Sequence, residues 1–368
     1  MVTGGAEIYA LNLLKALTKI DSEDYYLVYL PSDKVESFRV DKKNFKFKSK
    51  NFSSPYLRTL WEQFFLPFEL WKNKIDILFT TGNIDCFFSP CKRIVVIHNS
   101  LPFSAPEMFS SRLKLHYLRN MLKLTSKTAD KIITVSETAR GEIIKYLNIS
   151  PGRIKPIYHG FTVPDTIKDE NSIKERFGIR GKYILSISSV YRFKNYINLI
   201  RAFDIYRKRS KSNYRMVIIG EAIEEDYYNQ MIVEIEKLNL KDYVVFINGL
   251  PHNELFSIYK AASLYVFPSY CESFGLTLVE AMAFGIPVIT SNTSVMPEIC
   301  QDAAIYFDPN NPNDIADKML MVVQDRSLQQ KLREKGLKRA QEFSWQKTAE
   351  ETLEVFNEVY RVAKQRYK

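Results

Sequence analysis

The chain has 368 residues, more than one hydrophobic core ordinarily organises, so two domains are expected. Hydrophobic residues make up 46% and charged residues 26%, an ordinary globular balance that excludes disorder and low complexity. The net charge of +10 is uneven: residues 1–170 hold 25 Lys/Arg against 18 Asp/Glu, and residues 171–368 hold 27 against 24. A basic first half suits an anionic membrane surface or phosphorylated substrates. No nucleic-acid motif accompanies it, so nucleic acid is set aside as a partner.

The chain opens on Gly4-Gly5 and runs directly into a helix predicted over Ala6–Thr18. No strand precedes that helix, although an alternating α/β domain normally begins with one. Strands are predicted at Tyr25–Tyr29, Ile75–Phe79, Arg93–Ile97, Lys131–Val135 and Ile154–Ile157, with helices over Leu57–Trp71, Arg112–Lys127 and Glu137–Tyr146. Residues 160–175, with Pro164, Asp165 and the run Lys168-Asp169-Glu170, read as a linker. Beyond it, strands at Tyr183–Val190, Arg215–Ile219, Val244–Ile247, Leu264–Phe267, Pro287–Thr290 and Ala304–Phe307 alternate with helices. Those helices cover Ile197–Arg209, Tyr227–Leu238, Glu254–Ala262, Leu276–Phe284 and Asn313–Gln324, and a last amphipathic helix runs from Ser344 to Tyr367. Strands apolar on both faces and separated by helices imply an α/β fold with parallel sheets. Such sheets bind ligands at the carboxyl ends of their strands.

The chemistry concentrates in Pro268–Val288, PSYCESFGLTLVEAMAFGIPV. It reads as strand end, loop, helix, then Gly-x-Pro into the next strand. Gly275 lets the backbone turn sharply. The amides that open the helix, from Phe274 to Thr277, lack intrahelical partners and carry the positive end of the dipole, a phosphate site that needs no metal. Glu272 lies in the loop, able to accept hydrogen bonds from sugar hydroxyls. Glu280 lies about one turn into the helix, where a carboxylate can hold a vicinal diol.

This string resembles the donor-binding motif of the family 4 glycosyltransferases. The resemblance implies a GT-B fold: two Rossmann-like domains with parallel sheets facing a central cleft. Residues 1–163 with the helix 344–368 would form the acceptor-side domain, and 164–343 the nucleotide-sugar domain. It implies that Glu272 contacts the donor sugar, Glu280 the ribose, and the Ser273, Phe274, Gly275 and Leu276 backbone the sugar and diphosphate. Gly4-Gly5 resembles the family's glycine-rich turn lining the cleft opposite the donor, just after a first strand that this sequence lacks as it stands. Lys194, in Lys194-Asn195, resembles the lysine that binds the diphosphate. The arginine usual five or six residues earlier is replaced by Ser188 or Ser189, with Arg192 a nearby cation. His98 resembles the first residue of a His-Asp pair, with Asn99 in the second place, and is expected near the reacting sugar or acceptor. Lys131–Glu137, Pro297-Glu298-Ile299 and Phe343-Ser344-Trp345 extend the resemblance.

The function expected is transfer of a sugar from a nucleoside-diphosphate sugar to a glycan or lipid-linked acceptor, with retention, in cell-surface polysaccharide synthesis. A sugar-nucleotide epimerase of the same architecture and an inactive transferase-like scaffold are the alternatives. No Asp-x-Asp motif or histidine ligand spacing occurs, so no metal and no cofactor beyond the donor are expected. Cys86, Cys91, Cys271 and Cys300 form neither a zinc spacing nor a CxxC pair, and no apolar run approaches the roughly 20 residues that span a bilayer. The expected location is the cytoplasm, with contact to the inner membrane face an option. The aromatic, basic segment Tyr56–Lys72 hints at membrane docking, but Pro67 interrupts it, and core or interdomain packing is the reading preferred. His116, His159 and His252 show no constellation around them.

Overall fold

The computed structural model describes residues 5–38, 42–109, 111–163 and 169–365. The chain divides into two compact units, Thr3–Gly160 with Ser344–Lys368, and Phe161–Phe343.

In the first unit, strands β1 (Tyr26–Leu30) and β2 (Phe45–Ser49) pair in parallel as a separate two-stranded sheet. Strands β3 (Ile77–Thr80), β4 (Lys92–Ile97), β5 (Lys131–Thr134) and β6 (Ile154–Pro156) form a parallel sheet in sequence order. Its centre is fully apolar: Val95, Ile97 and Ile132 pack with Leu122, Ile143 and Ile154. The helix Glu137–Leu147 starts where Ser136 Oγ accepts the Ala139 N–H at 3.0 Å, one of the donors a helix start leaves open. The helix Trp345–Gln365 belongs to this unit, with Lys131 Nζ 2.6 Å from Glu358 and the Phe79 and Phe356 rings 5.0 Å apart.

In the second unit, β7 (Tyr183–Ile187), β8 (Arg215–Ile219), β9 (Val244–Ile247), β10 (Leu264–Phe267), β11 (Val288–Ser291) and β12 (Ala304–Phe307) form one parallel sheet. The spatial order is β12-β11-β10-β7-β8-β9. Every residue of β7, β10 and β11 is buried, as a sheet covered on both faces requires. The core joins Ile184, Met216, Leu264 and Ile289 to Phe203 and Tyr206 of the helix Tyr196–Ser210 and to Ile315 and Met319 of the helix Pro312–Gln324.

Four departures from the sequence expectations have physical causes. Strand β2 was not anticipated, because its lysines, Lys46 and Lys48, disguise an edge strand as a charged loop. A helix at Glu170–Arg176 occupies part of the expected linker. The helix Arg326–Ala340 was not anticipated either: so few of its residues are apolar that no stripe shows, yet Leu332, Gly336 and Ala340 are buried. The segment Tyr56–Lys72 is not a core helix. It runs as Pro55–Leu60, one π-helical turn Trp61–Phe65, and Leu66–Lys72, with Pro67, which has no N–H to donate back, just past the wider turn. Only its inner side is packed, Leu66 and Leu70 lying with Trp61 against Tyr29, Leu78 and Cys86. Tyr56, Leu60, Phe64, Phe65, Phe68 and Trp71 are each more than half exposed.

Candidate active site

The order of the second sheet reverses at β7: the chain moves from β7 to β8 and β9 on one side, then returns to place β10 on the other. Loops leaving the carboxyl ends of β7 and β10 therefore diverge, and the crevice between them is where such sheets take ligands. Lys194 ends the short 3-10 turn after β7, and Glu272 sits in the loop after β10. Their side chains meet as an ion pair, Nζ to Oε1, each only 13% exposed. The ammonium also lies 5.0 Å from the Phe193 ring centre and 5.5 Å from that of Phe267, an attractive placement for a cation.

Neighbouring loops hold this pair in place. Asn195 is buried in the left-handed region at φ 62°, a conformation asparagine tolerates better than most residues. Its Nδ2 donates to the carbonyls of Pro268 at 3.1 Å and Pro309 at 2.7 Å, tying the loops after β7, β10 and β12 together. The Tyr270 N–H donates to the Phe193 carbonyl at 2.8 Å. Ser294 clasps Glu272: its Oγ accepts the Glu272 N–H at 3.1 Å and donates to the Glu272 carbonyl at 2.9 Å. Gly220, after β8, lies so close to the loop after β7 that an added Cβ would stand 1.8 Å from the Ser188 carbonyl oxygen.

Gly275 has φ +81°, the left-handed turn expected of it, and opens the helix Leu276–Ala283. The Leu278 N–H bonds back to the Gly275 carbonyl at 2.9 Å, so the amides of Gly275, Leu276 and Thr277 stand at the positive end of the helix. Just before it, Phe274 is buried edge-on to Phe343, ring centres 5.7 Å apart, and Ser273 links it to Glu272. Glu280 is separate from the Lys194–Glu272 pair. It is 2% exposed, and its Oε2 accepts the Tyr259 hydroxyl at 2.8 Å. Burial, then the negative charge of Glu280, raises the Tyr259 pKa well above that of a free phenol, so Tyr259 stays a donor.

Arg192 is not drawn into the site. Its guanidinium lies over the Tyr227 ring at 5.2 Å, pairs with Glu224 at 3.3 Å and reaches Gln230 at 3.2 Å. Sequence reading missed Ser294 and Gly220. Ser294 carries no motif signal, while Gly220, one residue past a buried strand, is the kind of position where a close backbone approach is worth suspecting.

In the first unit, His98 directly follows β4 and is buried. Its N–H donates to Asn83 Oδ1 at 2.8 Å, and Nε2 lies 3.0 Å from the Thr81 carbonyl. A carbonyl only accepts, so Nε2 carries the proton and Nδ1 is the ring's basic atom. Burial lowers the His98 pKa and holds the ring neutral. The expectation that His159 stands alone is overturned: it is buried with its ring 5.8 Å from His98, 4.9 Å from Tyr9 and 6.1 Å from Trp345. Gly5 is the first residue of the helix Gly5–Ile20, and Gly4 lies outside the described residues. Among the described residues no three His, Cys, Asp or Glu side chains gather as a metal site, and no helix is long and apolar enough to cross a membrane.

Solved structures share this architecture. Anabaena HepE in complex with UDP-glucose matches with a TM-score of 0.74 at 19% identity, over 97% of this chain and 96% of that one. WaaG, a glycosyltransferase involved in lipopolysaccharide biosynthesis, matches at 0.72 and 16% identity, over 96% of each chain. The fold is that of the GT-B glycosyltransferases. Residues 3–163 match the family described as Glycosyltransferase Family 4, and residues 167–339 match Glycosyl transferases group 1. The chain belongs to the family 4 glycosyltransferases and is a glycosyltransferase. Among curated relatives, it is 27% identical to the O-antigen chain mannosyltransferase B of Escherichia coli, over 72% of this chain and 70% of that one. It is 26% identical to the serotype-specific mannosyltransferase WbdA of Escherichia coli, over 73% of this chain but 33% of WbdA. It is 30% identical to the O-antigen chain mannosyltransferase RfbU of Salmonella typhimurium, over 59% of this chain and 57% of RfbU.

Proposed function

We propose that the chain transfers a sugar, with mannose favoured by the relatives' names, from its nucleoside-diphosphate donor to a glycan or lipid-linked acceptor in cell-surface polysaccharide synthesis. The transfer proceeds with retention and without a metal. The observation that carries this reading is the Lys194–Glu272 pair at the point where the second sheet reverses.

A diphosphate brings to Lys194 more negative charge than Glu272 does, and a sugar hydroxyl offers Glu272 a donor in exchange. The pair therefore opens as the donor enters. Lys194 and the amides opening the Leu276–Ala283 helix hold the diphosphate, and they stabilise it further as it leaves with its negative charge. A charge-assisted contact of this kind contributes about 1.5–3 kcal/mol. Glu280, one oxygen fixed by Tyr259, is the ribose ligand in this reading. His98 serves the acceptor side with Nδ1.

Nucleoside diphosphates and their sugars, screened by thermal shift and then calorimetry, identify the donor. With the donor known, Glu272→Ala should lower transfer by about a thousandfold or more while leaving nucleoside diphosphate affinity equal or higher, because Lys194 loses its internal counter-ion. Lys194→Ala should weaken nucleoside diphosphate binding about 10- to 100-fold. Full activity in the Glu272→Ala chain, or unchanged affinity in the Lys194→Ala chain, refutes the assignment.

A further inference from the structure

The segment Pro55–Lys72 of the first unit is apolar on two sides, and only one of them is packed. Trp61, Leu66 and Leu70 face the small core of Tyr29, Leu78 and Cys86. On the other side Leu60, Phe64, Phe68 and Trp71 recur at spacings of four, four and three, which keeps them on one flank of a helix, and all are more than half exposed. Phe65, Tyr56 and Phe88 widen the exposed apolar surface. So many large aromatics in one exposed run exceed what a soluble surface scatters singly.

The stripe ends at a hollow of about 530 Å³ lined by Leu70, Trp71, Lys72, Lys74, Ile75 and Pro90. Lys72 and Lys74 are exposed, and neither has a salt-bridge partner among the described residues. Lys46 and Lys50 lie on the adjoining strand β2 and just past it, with the Lys50 ammonium 5.2 Å from the Trp61 ring centre.

The charge of the whole molecule points the same way. The first unit holds 29 Lys/Arg against 19 Asp/Glu, while Phe161–Phe343 holds 23 of each, so the entire net +10 sits in the unit that carries the stripe.

We propose that this flank docks the first unit on an anionic phospholipid bilayer, the aromatic rings entering the headgroup boundary and Lys72 and Lys74 at its edge meeting lipid phosphates. Tyr, Trp and Phe favour that boundary, and lysines extend their ammonium groups from an apolar flank toward the headgroups. A second copy of this chain fits the same face poorly, since pairing there would bring together two units of +10 each. The proposal deepens the reading of a membrane-presented acceptor, but it does not need turnover to be tested.

The experiment is flotation of the whole chain with phosphatidylcholine vesicles, with and without phosphatidylglycerol. The natural chain should float with the anionic vesicles and much less with neutral ones, and added salt should weaken the binding. The variant Phe64→Ser/Phe68→Ser/Trp71→Ser should lose at least about tenfold in affinity with an unchanged melting temperature. Lys72→Glu/Lys74→Glu should lose about as much on phosphatidylglycerol and little on neutral vesicles. If the triple variant fails to fold, Phe64→Ser alone carries the test, with a smaller loss expected. A natural chain that stays with the soluble fraction, or variants that float as it does, would overturn the proposal. So would a dimer in solution that the triple variant dissolves. A chain that floats but transfers nothing would count against the transferase mechanism and not against the docking.

Discussion

The two units are built alike, each on a parallel sheet with helices around it, yet they manage charge in opposite ways. In Phe161–Phe343 the 23 basic and 23 acidic groups balance, and individual pairs follow that pattern: Lys194 meets Glu272 in the site, and Arg192 meets Glu224 outside it. In the first unit the 10 surplus positive charges have no internal answer. One unit balances its charges within itself. The other presents charge outward, beside exposed aromatic rings, where an external surface can neutralise it.

The largest effect that would test the contrast lies in the second unit. Gly220→Ala places a methyl group 1.8 Å from the Ser188 carbonyl oxygen, against backbone that cannot move aside. We predict a loss of about 3 kcal/mol or more in stability, together with loss of nucleoside diphosphate binding, because the loop carrying Lys194 must shift. A variant that melts and binds like the natural chain would show that these loops are not closely fitted.

A smaller effect of opposite sign belongs to the first unit. Asp85 is buried there; its Oδ1 accepts the Thr80 hydroxyl at 2.8 Å and the Cys86 N–H at 2.7 Å, and its Oδ2 has no hydrogen-bond partner among the described residues. Burial pushes its carboxyl up to about 6. In the unfolded chain it ionises near 3.9, so the folded state holds the proton longer, and stability falls as pH rises between about 4 and 6. Asp85→Asn keeps the acceptor and removes the charge. It should be about 1–3 kcal/mol more stable at pH 8, an advantage that vanishes near pH 4. Thermal melts at the two pH values decide this, and a difference that does not change with pH would sink the idea.

Legibility followed the same division. In the second unit, strands β8, β9, β10 and β12 fall where apolar runs between helices predicted them, and Gly275 makes the turn its position demanded. Buried parallel strands announce themselves, since nearly every residue in them must be apolar. In the first unit the signals are weaker. Strand β2 hides behind lysines, and the aromatic segment reads as core until burial shows which side is packed. Some of the site was unreadable in principle. The hold of Tyr259 on Glu280, the clasp of Ser294 on Glu272 and the grouping of His98 with His159 join residues 21, 22 and 61 positions apart. Local pattern carries no record of such partners.

The Ser294 clasp has a consequence for how a ligand is met. Fixing a backbone residue costs about 1–2 kcal/mol in lost conformational freedom. The loop from Pro268 to Gly275 is already fixed, by Asn195 at its start, by Ser294 at Glu272 and by the left-handed turn at its end. That loss of freedom falls on folding, so a donor bound here, as proposed, would leave the loop from Pro268 to Gly275 with little further ordering to undergo.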